Sequence, residues 1–305
     1  MSGKDESKLG SNYIFCGGCP RSGTTLLQRI IGNHSTVFSE QEFQYIPSHL
    51  VPFRRAISDG ISQHNVDRIV DHSSLDEACR AFVNTVFKTK LEEVGKQVFC
   101  EKTPANALFI PEILEMFPKA TFVLIIRDPR DVVNSFRGVR NRYLSKNLEP
   151  PKFVRSIARS VRELNRYLDS SIVAQRDDPR VLIVYYEDLV ANPEKEVRKI
   201  CAHTKLKFEM KMLDIKQSAA KIPAQKSELW YSREGLSAAI SKSGVVTGKQ
   251  LLSESEKNLI SLFTNRYPEL ERYALPNRPP SMIEKLQFKA TKIDGAISSK
   301  FNKRT

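Results

Sequence analysis

Two apolar patterns alternate along the chain. Short continuous apolar runs, which are typical of strands buried in a parallel sheet, occur at 12–16, 97–100, 121–126 and 181–185. Segments with apolar residues three and four positions apart follow these runs and predict amphipathic helices. Because strands alternate with helices, the pattern predicts an α/β fold in which helices flank a parallel, doubly wound sheet.

Helical spacing predicts four helices: one that begins near residue 25, two at 74–93 and 105–117, and one that begins after Asn192. Ser74 and Glu77 have the spacing of a capping box, which places the start of the second helix at Ser74. The apolar residues of this helix are expected to form one buried stripe: Leu75, Cys79, Phe82, Val83, Val86 and Leu91. The fourth helix is expected to turn Val197, Ile200 and Cys201 inward.

A sheet of this kind binds its ligands where the strands end. The carboxyl ends of parallel strands lie at one edge of the sheet, and the loops there carry the functional groups. The segments that follow the four predicted strands are 17–25, 101–104, 127–135 and 186–188. These segments are therefore expected to form the functional site.

The composition is that of one large domain, with 305 residues of which 40% are hydrophobic. We predict a domain at 12–275, a polar N-terminal segment at 1–11, and a linker with a basic amphipathic tail at 276–305. The tail is expected to pack as a terminal helix, although it could instead contact a membrane surface or a partner. The run 120–126 is far too short to cross a membrane, and 1–11 lacks the apolar stretch of a secretory signal, so a cytoplasmic location is expected.

Charge and cysteine content narrow the chemistry. The net charge of +13 implies an anionic partner, which could be a phosphorylated cofactor, an acidic substrate, a membrane or nucleic acid. The basic residues are dispersed outside the tail, which argues against a nucleic-acid-binding protein. The five scattered cysteines are expected to be free thiols in a reducing compartment.

The segment FCGGCPRSGTTLLQRI, residues 15–30, places a glycine-rich turn between the first strand and the first helix. Its C-x-x-C pair begins at a strand end rather than a helix start, and one pair cannot complete a zinc site, so redox and metal roles are disfavoured. The spacing from Gly18 to Gly23 predicts a phosphate-binding turn. Thr24 stands where a nucleotide-hydrolysing P-loop carries lysine, and the cation of the turn is Arg21. We therefore predict a phosphate site without ATP hydrolysis.

A second candidate phosphate site is FVLIIRDPRDVVNSF, residues 122–136. Arg127 follows the buried strand and offers a planar, permanently charged fork to a phosphate. Ser135, about two turns into the next helix, could donate its hydroxyl to the same group. Taken alone, the residues equally allow Arg127 to pair with Asp128 or Asp131 and Ser135 to be an ordinary helix residue.

Together these segments resemble sulfotransferases that use 3'-phosphoadenosine 5'-phosphosulfate (PAPS). The turn CPRSGTTLL is similar to their 5'-phosphosulfate loop, in the arginine form of the tyrosylprotein sulfotransferases and related bacterial-type enzymes. IIRDPRDVVNS resembles the 3'-phosphate segment, and YEDLV resembles the segment whose tyrosine lies against the adenine. The resemblance spans residues 13–272 and implies a sulfotransferase-like fold with a P-loop. It implies the following cofactor-binding residues: Arg21, Ser22, Gly23, Thr24, Thr25, Arg127, Ser135, Tyr186 and, in a weakly similar late loop, Lys249.

The same resemblance implies the catalytic residues. Glu42 lies 21 positions after Arg21, which is the offset of the family's general base, and Glu40 is the alternative. Lys102, in FCEKTPAN, resembles the lysine that lies between donor and acceptor. Arg21 and Lys102 are expected to stabilise charge on the leaving phosphate oxygen, with 3',5'-ADP as the product and no metal required. None of the five histidines is assigned as the base.

The sequence therefore predicts a PAPS-dependent sulfotransferase that acts on a hydroxyl acceptor. A carbohydrate or small metabolite is expected because no secretory signal or anchor is recognised, and a protein tyrosine is the alternative. A P-loop small-molecule kinase is more remote, because the P-loop lysine and a Walker B aspartate are missing. No nucleic-acid partner is expected, and neither the acceptor nor the oligomeric state follows from the sequence.

Overall fold

The structure is a computed structural model that describes residues 13–40, 42–214, 228–230, 251–275, 281–282 and 286. The chain divides into two compact units. Among the described residues, the first unit comprises 13–126 and 167–214, and the second comprises 127–166, 228–230 and 251–275. The sheet and the glycine-rich turn belong to the first unit.

The first unit is built on a parallel sheet of five strands within the described residues. The strands are β1 (Ile14–Gly17), β2 (Val37–Phe38), β3 (Val98–Lys102), β4 (Thr121–Ile126) and β5 (Val181–Tyr185). Their order across the sheet is β2-β3-β1-β4-β5. Strands β2 and β3 lie on one side of β1, and β4 and β5 lie on the other. The parallel sheet predicted from the alternating pattern is therefore present, with β1 at its centre.

The helices of the first unit follow the strands. They are α1 (Thr24–Gly32), α2 (Val51–Ser62), α3 (His72–Val94), α4 (Ile110–Met116), α7 (Tyr186–Ala191) and α8 (Pro193–Thr204). A π-helical turn at Ile46–Leu50 leads into α2, and 3-10 turns occupy Pro104–Leu108 and Met210–Leu213. Helix α6 (Ile157–Asp177) passes from the second unit into the first.

The sheet of the first unit has a different core on each face. Side chains that alternate along a strand point to opposite faces, and β1 sends Ile14 and Cys16 to one face and Phe15 to the other. The first face packs on α1 and α8 through aliphatic residues. The second face carries aromatic rings, among them Phe99, which stacks on Phe87 of α3 with ring centroids 3.7 Å apart. These two layers hold the strand ends of the first unit in fixed positions.

Three sequence-based expectations about helices need correction. Helix α3 begins at His72, because Asp71 accepts the N–H of Ser74 and caps the helix three residues earlier than the predicted Ser74 cap. The predicted helix 105–117 is a 3-10 turn followed by the short helix α4. On α3 the buried stripe includes Phe87, whereas Phe82 and Val86 are exposed. The inward face of α8 is as predicted, with Val197, Ile200 and Cys201 buried.

The second unit contains α5 (Pro129–Ser145), the first half of α6, a 3-10 turn at Lys152–Val154, α9 (Glu254–Thr264) and a 3-10 turn at Pro268–Tyr273. Asp128 caps α5 and also accepts two hydrogen bonds from the Arg130 guanidinium, which donates a third to the Tyr273 carbonyl. The ring of Phe153 packs between Phe136 and Trp230. The contact of Arg130 ties the N-terminal end of α5 to the 3-10 turn at Pro268–Tyr273.

Among the described residues, no helix combines the length and the apolar character needed to cross a membrane.

Candidate active site

The glycine-rich turn joins the central strand β1 to α1. Gly23 is the residue before the helix, and because it has no side chain, no side-chain oxygen caps the first N–H groups of α1. The turn is closed from within, since Ser22 donates both its N–H, at 3.0 Å, and its hydroxyl, at 2.5 Å, to the Cys19 carbonyl. Arg21 adopts a left-handed backbone conformation with φ of 75°. The result is a tight loop that leads into a helix N-terminus, a position that favours anions.

Two glycines of this turn are required by close contacts. A Cβ on Gly18, whose φ is 137°, would lie 2.5 Å from the Ile125 carbonyl oxygen of β4. A Cβ on Gly23, whose φ is 110°, would lie 2.6 Å from Cδ2 of Tyr186, the first residue of α7. The backbone of the turn therefore lies against β4 and against the Tyr186 ring, which places Tyr186 beside the predicted phosphate site.

Gly23→Ala should damage the turn more than an ordinary glycine substitution. The left-handed conformation costs an L-residue about 1–2 kcal/mol, and the contact with Tyr186 adds a displacement of the ring or the turn. We expect a lower unfolding free energy in denaturant titration and weaker binding of a phosphorylated ligand in calorimetry. Gly95→Ala is the matched control, because Gly95 has φ of 65° but no atom within 4 Å of the added Cβ. Equal ligand binding by the two variants would show that the turn tolerates a side chain.

Glu42 and Lys102 form an ion pair at the end of the sheet. The Lys102 Nζ lies 2.5 Å from the Glu42 Oε1. The Lys102 side chain is 5% exposed and that of Glu42 is 29% exposed, so the carboxylate is the member of the pair that reaches solvent. Gln44 donates to the other carboxylate oxygen, Oε2, at 3.0 Å. The pair therefore combines a carboxylate open to an acceptor with a cation held in the protein interior.

The sheet brings this pair next to the phosphate turn. Lys102 is the last residue of β3, and it lies opposite Cys16 of β1, just before the turn begins. On the other side of β3, the two-residue strand β2 leads into the segment that carries Glu42. Gln28 of α1 donates to the Ser39 hydroxyl and to the Glu40 carbonyl, which ties that segment to the helix after the turn. Three neighbouring strands thus converge on one edge.

The structure distinguishes the two candidate bases. Glu40 is exposed, and its backbone carbonyl is held by Gln28. Glu42 instead contacts the buried Lys102 ammonium. The geometry favours Glu42 as the carboxylate that works with Lys102.

A further carboxylate, Glu101, is completely buried beside this pair. Burial raises the pKa of its carboxyl to about 7, and hydrogen bonds from Thr103, the Phe43 N–H and Asn106 counteract part of that rise.

Burial also raises the pKa of the Cys16 thiol, on the neighbouring strand β1, well above its usual value. The sulfur atoms of Cys16 and Cys100 lie 3.5 Å apart. All five cysteines are buried and form no disulfide: Cys16, Cys19, Cys79, Cys100 and Cys201.

The predicted 3'-phosphate residues belong to the second unit. Arg127 follows the last residue of β4 in the chain, and its guanidinium lies 3.2 Å from the Asp131 carboxylate. The pairing that the sequence left open is therefore present, and Arg127 stays 14% exposed. Ser135 lies within α5, two turns along the helix, and is half-buried.

Comparison with known proteins adds an independent observation. The model of the sulfotransferase family matches residues 13–210, which is more than half of the chain. The match contains the phosphate turn, Glu42, Lys102, Arg127 and Tyr186. The chain belongs to the sulfotransferase family. The predicted PAPS-dependent family and the predicted enzyme class, a transferase, are thereby confirmed.

Relatives of this sulfotransferase carry more specific names. It is 30% identical over 203 residues to a Caenorhabditis briggsae protein named provisionally as a protein-tyrosine sulfotransferase, a match that covers 66% of the chain and 68% of the relative. It is 29% identical over 196 residues to the protein-tyrosine sulfotransferase of Drosophila melanogaster, which covers 61% of the chain but only 36% of that relative. The sulfotransferase therefore spans about a third of the length of the second relative.

Solved structures agree with the fold. The sulfotransferase domain of the Synechococcus PCC 7002 olefin synthase superposes with a TM-score of 0.58 at 18% identity, and the match covers 91% of this chain and 100% of that domain. The predicted α/β fold, with a P-loop and a parallel sheet flanked by helices, is confirmed.

Three further polar residues of this sulfotransferase are Lys249, Arg54 and His34. Lys249 lies outside the described residues, as does most of the tail 276–305. Arg54, in the segment that follows Glu42, is 8% exposed and paired with Asp76 and Glu115, so its charge is engaged by these carboxylates. His34 is buried, and its imidazole Nε2 lies 2.8 Å from the Lys207 carbonyl, which agrees with a structural role.

Sequence analysis missed the involvement of Glu101. The predicted strand ended at Cys100, so Glu101 was treated as part of a loop, whereas β3 continues to Lys102. The signal that could have identified it is an acidic residue two positions after Phe99, on the same face of a buried strand.

Proposed function

We propose that the protein transfers a sulfuryl group from PAPS to a hydroxyl acceptor, with Glu42 as the general base. The observation that carries this proposal is the contact of 2.5 Å between Glu42 and the buried Lys102, at the strand edge where the phosphate turn begins. Sulfuryl transfer needs a base for the acceptor proton and cations for the charge that develops on the leaving group. The pair and the turn supply both at one edge of the sheet.

The turn suits the donor. PAPS, when bound, supplies the sulfuryl group on a phosphate, and the uncapped N–H groups at the start of α1 suit such an anion. Gly18 and Gly23 let the turn pack closely against Ile125 and Tyr186 because they lack a Cβ. Ser22, Thr24 and Thr25 belong to the same turn and would donate hydrogen bonds from the backbone or from hydroxyl groups. No metal has a role in this proposal.

Each side chain of the pair has one task. The Glu42 carboxylate, which reaches solvent, would accept the proton of the acceptor hydroxyl. Lys102, held in the interior, and Arg21, in the turn, would place positive charge where the leaving phosphate oxygen becomes negative. Arg127 and Ser135 would hold the 3'-phosphate, Tyr186 would lie against the adenine, and Lys249, which is outside the described residues, would be a further contact to the 3'-phosphate.

Two acceptor classes are compatible with this chemistry. A carbohydrate or small metabolite is our first proposal, which rests on the sequence alone. A protein tyrosine is the second, and the names of the relatives support it. Radiolabelled PAPS offered with a panel of sugars, phenols and tyrosine peptides tests both, because label transferred only to peptides would reject the first.

Calorimetric titration tests the donor site directly. We expect metal-independent binding of 3',5'-ADP, unchanged by a chelator, and much weaker binding of 5'-AMP, which lacks the 3'-phosphate. Preference for ATP with Mg²⁺ would instead support a kinase. Failure to bind any of these nucleotides would contradict the proposed donor site.

Arg127→Ala should weaken 3',5'-ADP binding by about 10- to 100-fold, because a charge-assisted hydrogen bond to phosphate contributes roughly 1.5–3 kcal/mol. Affinity for 5'-AMP should change little, because that ligand lacks the contacted group. Arg166→Ala is the control in the same unit, since Arg166 is 55% exposed and pairs with Glu163. Unchanged 3',5'-ADP affinity in the Arg127 variant would remove Arg127 from this role.

A further inference from the structure

The Glu101 carboxylate connects the segment of the base with the segment of the lysine. It accepts the Phe43 N–H at 2.8 Å and the Thr103 hydroxyl at 2.7 Å, both on Oε1, and the Asn106 side-chain N–H on Oε2. Glu101 has no exposed surface, so these groups, rather than water, satisfy it. One buried group therefore fixes the chain directly after Glu42 and the chain directly after Lys102.

Strand geometry explains how this arrangement reaches the ion pair. Glu101 and Lys102 are neighbours on β3, so their side chains point to opposite faces of the sheet. The side chains of Glu42 and Phe43 also point to opposite sides. The Glu42 carboxylate contacts Lys102, whereas the Phe43 ring packs on Phe87 with ring centroids 5.4 Å apart. Fixing Phe43 on the Glu101 face therefore fixes Glu42 on the Lys102 face.

We propose that Glu101 is the positioning residue of this site, which holds the Glu42 carboxylate against the Lys102 ammonium through the Phe43 N–H. The catalytic consequence rests on the proposed function, whereas the structural role does not. Glu101 touches neither reacting atom in this proposal. Its effect passes through the backbone of Phe43 and through the turn at Thr103 and Asn106.

In this proposal the role of Glu101 depends on the length of its side chain and on its acceptor oxygens, and not on its charge. Glutamine keeps one oxygen at the position of Oε1, which can still accept the Phe43 N–H and the Thr103 hydroxyl. The amide of glutamine would face Asn106, whose Oδ1 is buried and accepts no hydrogen bond within the described residues. A flip of the Asn106 amide would present that oxygen to the new N–H. Aspartate keeps the charge but withdraws its oxygens by about 1.5 Å, the length of one C–C bond.

The experiment compares Glu101→Gln with Glu101→Asp by steady-state kinetics. For Glu101→Gln we expect kcat within about threefold of wild type. For Glu101→Asp we expect a kcat about 10- to 100-fold lower, as for a small displacement of a catalytic group. Affinity for 3',5'-ADP should be the same in both variants, because Glu101 accepts hydrogen bonds from Phe43, Thr103 and Asn106, which lie outside the phosphate turn. The reverse order, an active aspartate variant and an inactive glutamine variant, would show that the charge of Glu101 acts directly and would overturn the proposal.

Two further measurements separate this proposal from the proposed function and from loss of stability. Amide hydrogen exchange of the peptide that carries Phe43 should be slow in wild type and Glu101→Gln, and at least about tenfold faster in Glu101→Asp. This result needs no turnover, so it tests the anchor even if no sulfuryl transfer is found. Equal exchange in all three proteins would overturn the proposal. Asp76→Asn, which weakens the partly buried ion pair with Arg54, is the control that should lower stability while kcat stays unchanged.

Discussion

Glu42→Gln is expected to lower kcat by about 100- to 10,000-fold, the range that a positioned general base contributes. The amide keeps the shape of the side chain but cannot take the proton of the acceptor hydroxyl. The phosphate turn is built from β1 and α1 and does not include Glu42, so 3',5'-ADP should bind as tightly as in wild type. Initial rates at saturating PAPS and acceptor, together with calorimetry of 3',5'-ADP, measure the two quantities.

Glu40→Gln provides the matched control for this result. Glu40 lies two residues earlier, and its side chain is exposed, while its backbone is held by Gln28 in a way that the substitution does not alter. We expect full activity. An inactive Glu40 variant together with an active Glu42 variant would move the general base to Glu40.

Lys102→Met is expected to lower kcat by about 100- to 1,000-fold, because it removes a preorganised cation from the point where negative charge develops. The folded state should be preserved. Methionine fills the buried space of the lysine stem, and Glu42, at 29% exposure, remains hydrated, so the unfolding free energy should change by less than about 1 kcal/mol. Loss of activity without loss of stability would identify a catalytic rather than a structural lysine.

Lys96→Met controls for the loss of a lysine from the same unit. Lys96 donates to the Ser35 carbonyl on the surface, away from the strand ends that carry the site. It should retain wild-type kcat. If Lys102→Met also kept kcat within about threefold of wild type, its contribution would fall far short of the expected electrostatic stabilisation, and Lys102 would serve only to hold Glu42.

The sequence predicted the central part of the sheet well for a physical reason. Strand β4 is buried at all positions but its first, and β5 is buried or half-buried throughout, so their apolar runs are continuous. Strand β2 was missed because two residues carry no periodicity. Strand β3 was shortened, since its last two residues are Glu101 and Lys102, whose burial depends on partners distant in the chain.

Helix boundaries show the same dependence on partners. The start of α3 was assigned to Ser74, but the Asp71 carboxylate competes for the same N–H group and caps the helix earlier. Phe82 and Val86 have helical spacing, but the buried side of α3 carries Phe87, which stacks on Phe99 of β3, a partner that local sequence does not reveal.

For the site, the sequence alone supplied the phosphate turn, because glycine spacing between a strand and a helix has a direct backbone meaning. The choice of Glu42 over Glu40 came from the resemblance, and the contact with Lys102 now gives it a geometric reason. Local patterns could not reveal the contact between Phe43 and Glu101, which are 58 positions apart.

The rates at which the buried cysteines react with a thiol reagent measure how often the structure around each of them opens. A small thiol reagent can react only after a local or global fluctuation exposes a sulfur atom, because all five thiols are shielded. Cys19 lies inside the phosphate turn, whereas Cys201 lies on α8. The labelling rate of Cys19 therefore measures local opening of the donor loop, and the labelling rate of Cys201 measures unfolding of the surrounding core. Neither measurement needs an introduced probe.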